Sequence, residues 1–179
     1  FAEGNDWLNS RSSWDDSAVS VSFVCTNRIQ GHQAQDQNAF VIYRNGFQAT
    51  HGNLHSLWGL YQLTDGYNTL LIDGSGQASG GNWDEPTQTV HDIGNVPRFE
   101  EGDDYVYIVG DASDAYYTNA GQFGNGEERL LDIFTRELVH LLPNCVVVYD
   151  RVVARDPAHM PTWLLHTDDA PVFTGTRLE

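Results

Sequence analysis

Apolar residues come in short runs broken by turn residues, and within the runs they alternate rather than recur at helical spacing. Val19 to Cys25, Ala39 to Tyr43, Thr69 to Ile72, Tyr105 to Val109, Cys145 to Val153 and Thr162 to His166 are rich in Val, Ile, Tyr and Phe, residues that suit a pleated, half-buried surface. Asn45-Gly46, Asp73-Gly74, Pro143-Asn144 and Asp156-Pro157 punctuate them, as pairs with turn-forming backbone preferences do. The pattern predicts an all-β fold, an antiparallel β-sandwich. Arg129 to Leu142 fits two periods. Leu130, Leu131, Phe134, Leu138, Leu141 and Leu142 keep a fair 3.6 spacing, while Leu131, Ile133, Thr135 and Glu137 fit alternation, which would make two or three strand pieces. Ser75 to Asp104, with its Gly, Asn, Asp and Pro, reads as a long loop.

The most informative stretch runs from Gly31 to Gly76. Strand alternation puts Asn38, Phe40 and Ile42 on one face and Ala39, Val41 and Tyr43 on the other. Asn45-Gly46 then predicts a two-residue type I′ turn that returns the chain through Phe47 and Ala49. Such a hairpin presents His32, Asp36 and Asn38 at its mouth.

At 179 residues and 40% apolar content, the chain suffices for one domain with a real core. No apolar run approaches the length of a membrane span, and Phe1 does not open a basic-then-apolar leader. The nine basic residues are all arginine, set against 25 acidic ones, for a formal net charge of −16. Such a field repels polyanions at long range, which argues against nucleic acid and acidic membranes as partners. Cys25 and Cys145 both lie in apolar, strand-like sequence and read either as buried free thiols or as a single bridge.

The order His32-x-x-x-Asp36-Gln37-Asn38-x-Phe40, then Asn45-Gly46, then Asn68-Thr69-Leu70-Leu71-Ile72-Asp73-Gly74-x-Gly76-Gln77 resembles the C-terminal β-sandwich domain of the heparinase II/III-like polysaccharide lyases. Ser10-Arg11-Ser12-Ser13-Trp14, Gly110-Asp111-Ala112-Ser113-Asp114-Ala115-Tyr116, Val147-Val148-Tyr149-Asp150-Arg151-Val152 and Trp163-Leu164-Leu165-His166-Thr167 extend the resemblance over nearly the whole chain. It implies a single sandwich domain over residues 1–179 that continues with further strands and is preceded by an α-toroid in a longer lyase. It also implies an acidic, uronate-containing polysaccharide as partner and a secreted or periplasmic location. Pairing of Arg129–Leu142 with the following Val-rich strand in the family favours strand over helix there. The chain's own charge works against an acidic substrate, so either local arginines or another domain would have to attract it.

β-Elimination requires removal of the C5 proton of a uronate, neutralisation of its carboxylate and protonation of the leaving oxygen. His32 matches the family's sandwich histidine, and imidazole titrates near neutrality, as such proton transfer needs; its competing reading is a loop histidine bonded to Asp36 or Asn38. Asp36, Asn38 and Trp58 are candidate substrate contacts. Short polar side chains ahead of a strand also satisfy turn backbone, and Trp58, Tyr61 and Trp83 could serve the core as well as a sugar face. Where the family carries zinc ligands, this chain has Ala34, His51 and Tyr67. Zinc takes three or four ligands at about 2.0 Å, so the resemblance implies that this site is lost and no cofactor is expected. His55 after His51 does not restore it, because Gly52-Asn53 argues against the helix that would join them. The paired aspartates at 15–16, 103–104 and 168–169 lack a calcium-loop spacing and read as solvated turns. The alternative to a lyase domain is a non-catalytic sandwich that binds carbohydrate or supports assembly.

Overall fold

In the computed structural model, residues 1–27, 34–51, 63–78, 93–118, 120–121, 124–125, 128–170, 173–174 and 177–178 are described. Two four-stranded antiparallel sheets dominate. The first has the order β1 (Trp7–Arg11), β2 (Ser20–Val24), β3 (Ala39–Tyr43), β4 (Phe47–Ala49). Strands β5 (Leu70–Ile72), β6 (Asn95–Glu101), β7 (Tyr105–Asp111), β8 (Ala120–Gly121), β9 (Gly124–Asn125), β10 (Leu131–Leu141) and β11 (Cys145–Ala154) follow, and the second sheet has the order β11-β10-β7-β6. β12 (Pro161–Trp163) pairs with β5, β13 (Phe173–Thr174) with β14 (Arg177–Leu178), and β8 with β9. Only short 3-10 turns interrupt the strands among the described residues, so the fold is an all-β sandwich.

One apolar core joins the sheets. Leu8, Val21, Phe23 and Phe40 from the first meet Val106, Ile108, Phe134 and Leu138 from the second, with Leu70 and Ile72 of β5 alongside. Each such side chain contributes roughly 1.5–3 kcal/mol through burial. Phe40 and Ile42 face this core, while Ala39 joins a smaller cluster with Val24, Tyr67 and Ala34, as the alternation in β3 requires.

The core also buries charge. Leu131, Phe134, Arg136, Leu138 and His140 are the inward residues of β10, and Arg136 has no exposed surface. Its Nε and Nη2 donate to Asp150 Oδ1 and Oδ2 at 2.6 Å, and Nη1 donates to the Asn38 and Asn68 carbonyls at 2.6 and 2.7 Å. The rings of Phe40, Phe134 and Trp163 surround the guanidinium. Trp163 Nε1 donates to Asp150 as well. Asp150, Arg136 and Gly110 form one cross-strand row. A Cβ at Gly110 would collide with Asn38 Oδ1 and lie 2.6 Å from Phe23, so the absent side chain is what admits the Asn38 turn. His140 crosses to the first sheet, its Nδ1 2.8 Å from Ser10 Oγ.

Four expectations are corrected. β10 is one strand of 11 residues rather than two or three pieces, and a bulge after Leu131 breaks the Leu131, Ile133, Thr135, Glu137 alternation, so that Phe134 and Arg136 follow Leu131 on the inward face. The supposed loop from Ser75 to Asp104 contains β6; Pro97 is accommodated because β6 is an edge strand whose register shifts between Asn95 and Arg98. Asn45 and Gly46 do take positive φ, +53° and +136°, but Tyr43 pairs with Phe47, giving a three-residue connection with a bulge. The tight two-residue turn is Asp73-Gly74, closed by paired Ile72–Ser75 hydrogen bonds. Cys25 is buried, whereas Cys145 is exposed, and both are free.

Candidate functional site

The polar segment before β3 is mostly internal. Gln37 accepts at Oε1 from Thr26 N, its N–H donates to Gln77 Oε1, and its carbonyl accepts from Gln77 Nε2 and Thr69 Oγ1. Gln35 Oε1 accepts from the Thr64 N–H and hydroxyl. Asn38 adopts φ +61°, a left-handed conformation that Asn tolerates better than other side chains. It is fully buried, and its Nδ2 donates to the Phe134 carbonyl. These side chains pin one turn to the core, the role that short polar residues ahead of a strand often take.

Asp36 sits differently. Partly accessible, it lines a groove with His51 on the side of the first sheet away from the core. Burial pushes its carboxyl up to about 7. His51 packs edge-on against Tyr67, ring centroids 4.8 Å apart. Burial holds the His51 imidazole below its ordinary value, with His166 adding a smaller like-charge effect. Tyr67 is raised well above the usual phenol range by burial and then by Asp36.

Asn68 ties this corner together. Its Nδ2 donates to the carbonyls of Phe40 and Thr50, and its Oδ1 accepts from the His166 backbone N–H at 2.7 Å. His166 Nδ1 lies 3.1 Å from the same oxygen, so that nitrogen carries the proton there. Thr50 N donates back to the His166 carbonyl. His166, singled out only as part of a motif, therefore belongs to the same corner as His51.

Ala34, His51 and Tyr67 come together: Ala34 packs on the cluster holding Tyr67, and His51 packs on Tyr67 itself. The three positions do not fit zinc. Ala34 has no donor atom, Tyr67 fills the space with a ring whose hydroxyl resists ionisation, and His51 supplies one imidazole. Of the candidate substrate contacts, Asp36 reaches a groove and Asn38 does not. His32, His55, Trp58, Tyr61 and Trp83 lie outside the described residues.

Comparison with solved structures gives a clear fold match. The heparan sulfate lyase HepC from Pedobacter heparinus superposes with a TM-score of 0.67 at 16% identity, over 96% of this chain and 25% of that one. A mutant of the same lyase gives 0.68 at 16% identity, over 97% of this chain and 25% of that one. The fold is that of a heparinase-like domain. This chain thus spans a quarter of the length of the lyase it matches. No family model and no curated protein matches it.

Arg136 and Gly110 escaped the sequence reading as position-setting residues. The signal for Arg136 was a lone cation in the inward phase of an alternating strand, hidden by the bulge that shifts that phase. For Gly110, only its place in a motif marked it.

Proposed function

We propose that this chain is the β-sandwich part of a polysaccharide lyase that cleaves uronate-containing acidic glycans by β-elimination. The fold shared with a heparan sulfate lyase over nearly the whole chain carries the reading. The motif order from His32 to His166 supports it. His32 would neutralise the uronate carboxylate or assist the C5 proton transfer, and an α-toroid would close the other wall of the cleft. Secretion or periplasmic export goes with a polymeric substrate of this kind.

The test is the ultraviolet absorbance of the unsaturated uronate left by elimination, followed over a panel of acidic glycans with the full-length polypeptide. His32→Ala should lower turnover by roughly 10²-fold or more with little change in melting temperature. Unchanged turnover would remove His32 from the mechanism. A second reading, a non-catalytic carbohydrate-binding or structural sandwich, is favoured by the three metal positions of the family being filled by Ala34, His51 and Tyr67. Glycan binding without any rise in absorbance would select it.

A further inference from the structure

A concave patch on the outer side of the first sheet plays no part in the elimination chemistry above. Asn9, Ser22 and Val41 form one cross-strand row there, beside the row of Trp7, Val24 and Ala39. With Asp36 and His51 these residues line a groove of about 230 Å³. Trp7 is 54% exposed and supplies a broad flat wall. Ser22 Oγ donates to Asn9 Oδ1 at 2.6 Å and both residues are exposed, so the Asn9 N–H groups can donate and the Ser22 oxygen can accept. The buried Nδ1 of His51 has no partner among the described residues.

An indole face beside hydrogen-bonding groups of both polarities suits a sugar ring, which offers an apolar C–H face and a rim of hydroxyls. Among the described residues lining the groove there is no arginine, and His51, whose imidazole burial holds below its ordinary value, is the one side chain able to carry positive charge. We infer that this groove is a glycan subsite that seats an uncharged pyranose unit, stacked on Trp7 and hydrogen-bonded by Asn9, Ser22 and Asp36. The inference rests on the glycan reading for its ligand class and deepens it: the groove holds the neutral unit of a mixed polymer while the acidic unit lies elsewhere.

The experiment titrates this 179-residue chain with an uncharged N-acetylglucosamine oligomer and, separately, with a sulfated heparan oligosaccharide, following the indole N–H signals of its five tryptophans. The Trp7 signal, identified with Trp7→Phe, should shift saturably with the neutral oligomer and more weakly with the sulfated one. Trp7→Ala and Asn9→Ala should each weaken binding about tenfold or more, while Trp14→Ala, which alters a tryptophan not lining the groove, should leave it unchanged. A silent Trp7 signal, unaffected binding in Trp7→Ala, or preference for the sulfated oligomer would each overturn the subsite. Failure of the lyase reading looks different, because an inactive full-length polypeptide with a saturating Trp7 signal keeps the subsite and discards elimination.

Discussion

Arg136 and Asp150 face each other across β10 and β11, two hydrogen bonds of 2.6 Å joining guanidinium to carboxylate inside the sandwich. The remaining reach of Arg136 goes to the carbonyls of Asn38 and Asn68; Asn38 lies two residues after Asp36, and Asn68 directly follows Tyr67 and itself makes the His166 contact. The pair therefore fixes the corner that holds the candidate site as well as the sheet.

Arg136→Met removes the countercharge and leaves the Asp150 carboxylate with only the Trp163 Nε1 donor among its described partners, and the Asn38 and Asn68 carbonyls without the guanidinium. A loss of roughly 3–5 kcal/mol follows for breaking a buried pair from one side, read from urea denaturation. Adding Asp150→Leu should restore part of that loss, because the stranded charge goes with it; equal instability in the single and double variants would show that the pair does not act as one.

Gly110→Ala tests the close approach of the Asn38 turn. The new methyl meets Asn38, Phe23 and Cys25 together, so the expected cost is about 1–3 kcal/mol from overpacking. A neutral substitution, measured by thermal unfolding, would mean that the turn can withdraw from the second sheet.

His140 supplies an acid-sensitive contact between the sheets. Burial lowers its pKa in the folded state, so its contribution is complete above the unfolded value of about 6.5 and declines as pH falls from there through the folded value. Ser10→Ala with His140→Leu should flatten part of the stability loss between about pH 6.5 and pH 5. An unaltered acid limb would assign that loss to other groups.

Strands with unbroken alternation, such as Ala39–Tyr43 and Cys145–Ala154, were legible because one residue in two must face the core. β6 was not, since Pro97 is a strand breaker anywhere except at an edge or bulge, and only the sheet order shows that β6 is an edge. The phase of β10 was hidden for a related reason: a bulge changes which residues face inward without changing composition. At the site, the polar run Asp36-Gln37-Asn38 was visible, but alternation alone could not tell that Gln37 and Asn38 turn into the core while Asp36 stays at a groove. The meeting of Ala34, His51 and Tyr67 depends on contacts between segments far apart in sequence, and only the family motif pointed to it.

Asp36 should make stability fall as pH rises through the weakly acidic range. Its folded pKa, about 7, lies above the ordinary 3.8 because burial penalises the carboxylate. The folded state therefore holds the proton more tightly than the unfolded chain. Its favourable contribution is complete below about pH 4 and is lost progressively as pH rises to about 7. Asp36→Asn keeps the size and hydrogen-bonding reach without the charge, so it should remove this slope and raise stability near pH 8 by roughly 1–3 kcal/mol. Denaturation midpoints of the two proteins, compared at pH 4 and pH 8, give the answer. A gap that widens towards pH 8 fits a carboxylate forced to ionise inside the groove, and a constant gap would mean that Asp36 already carries its charge at pH 4.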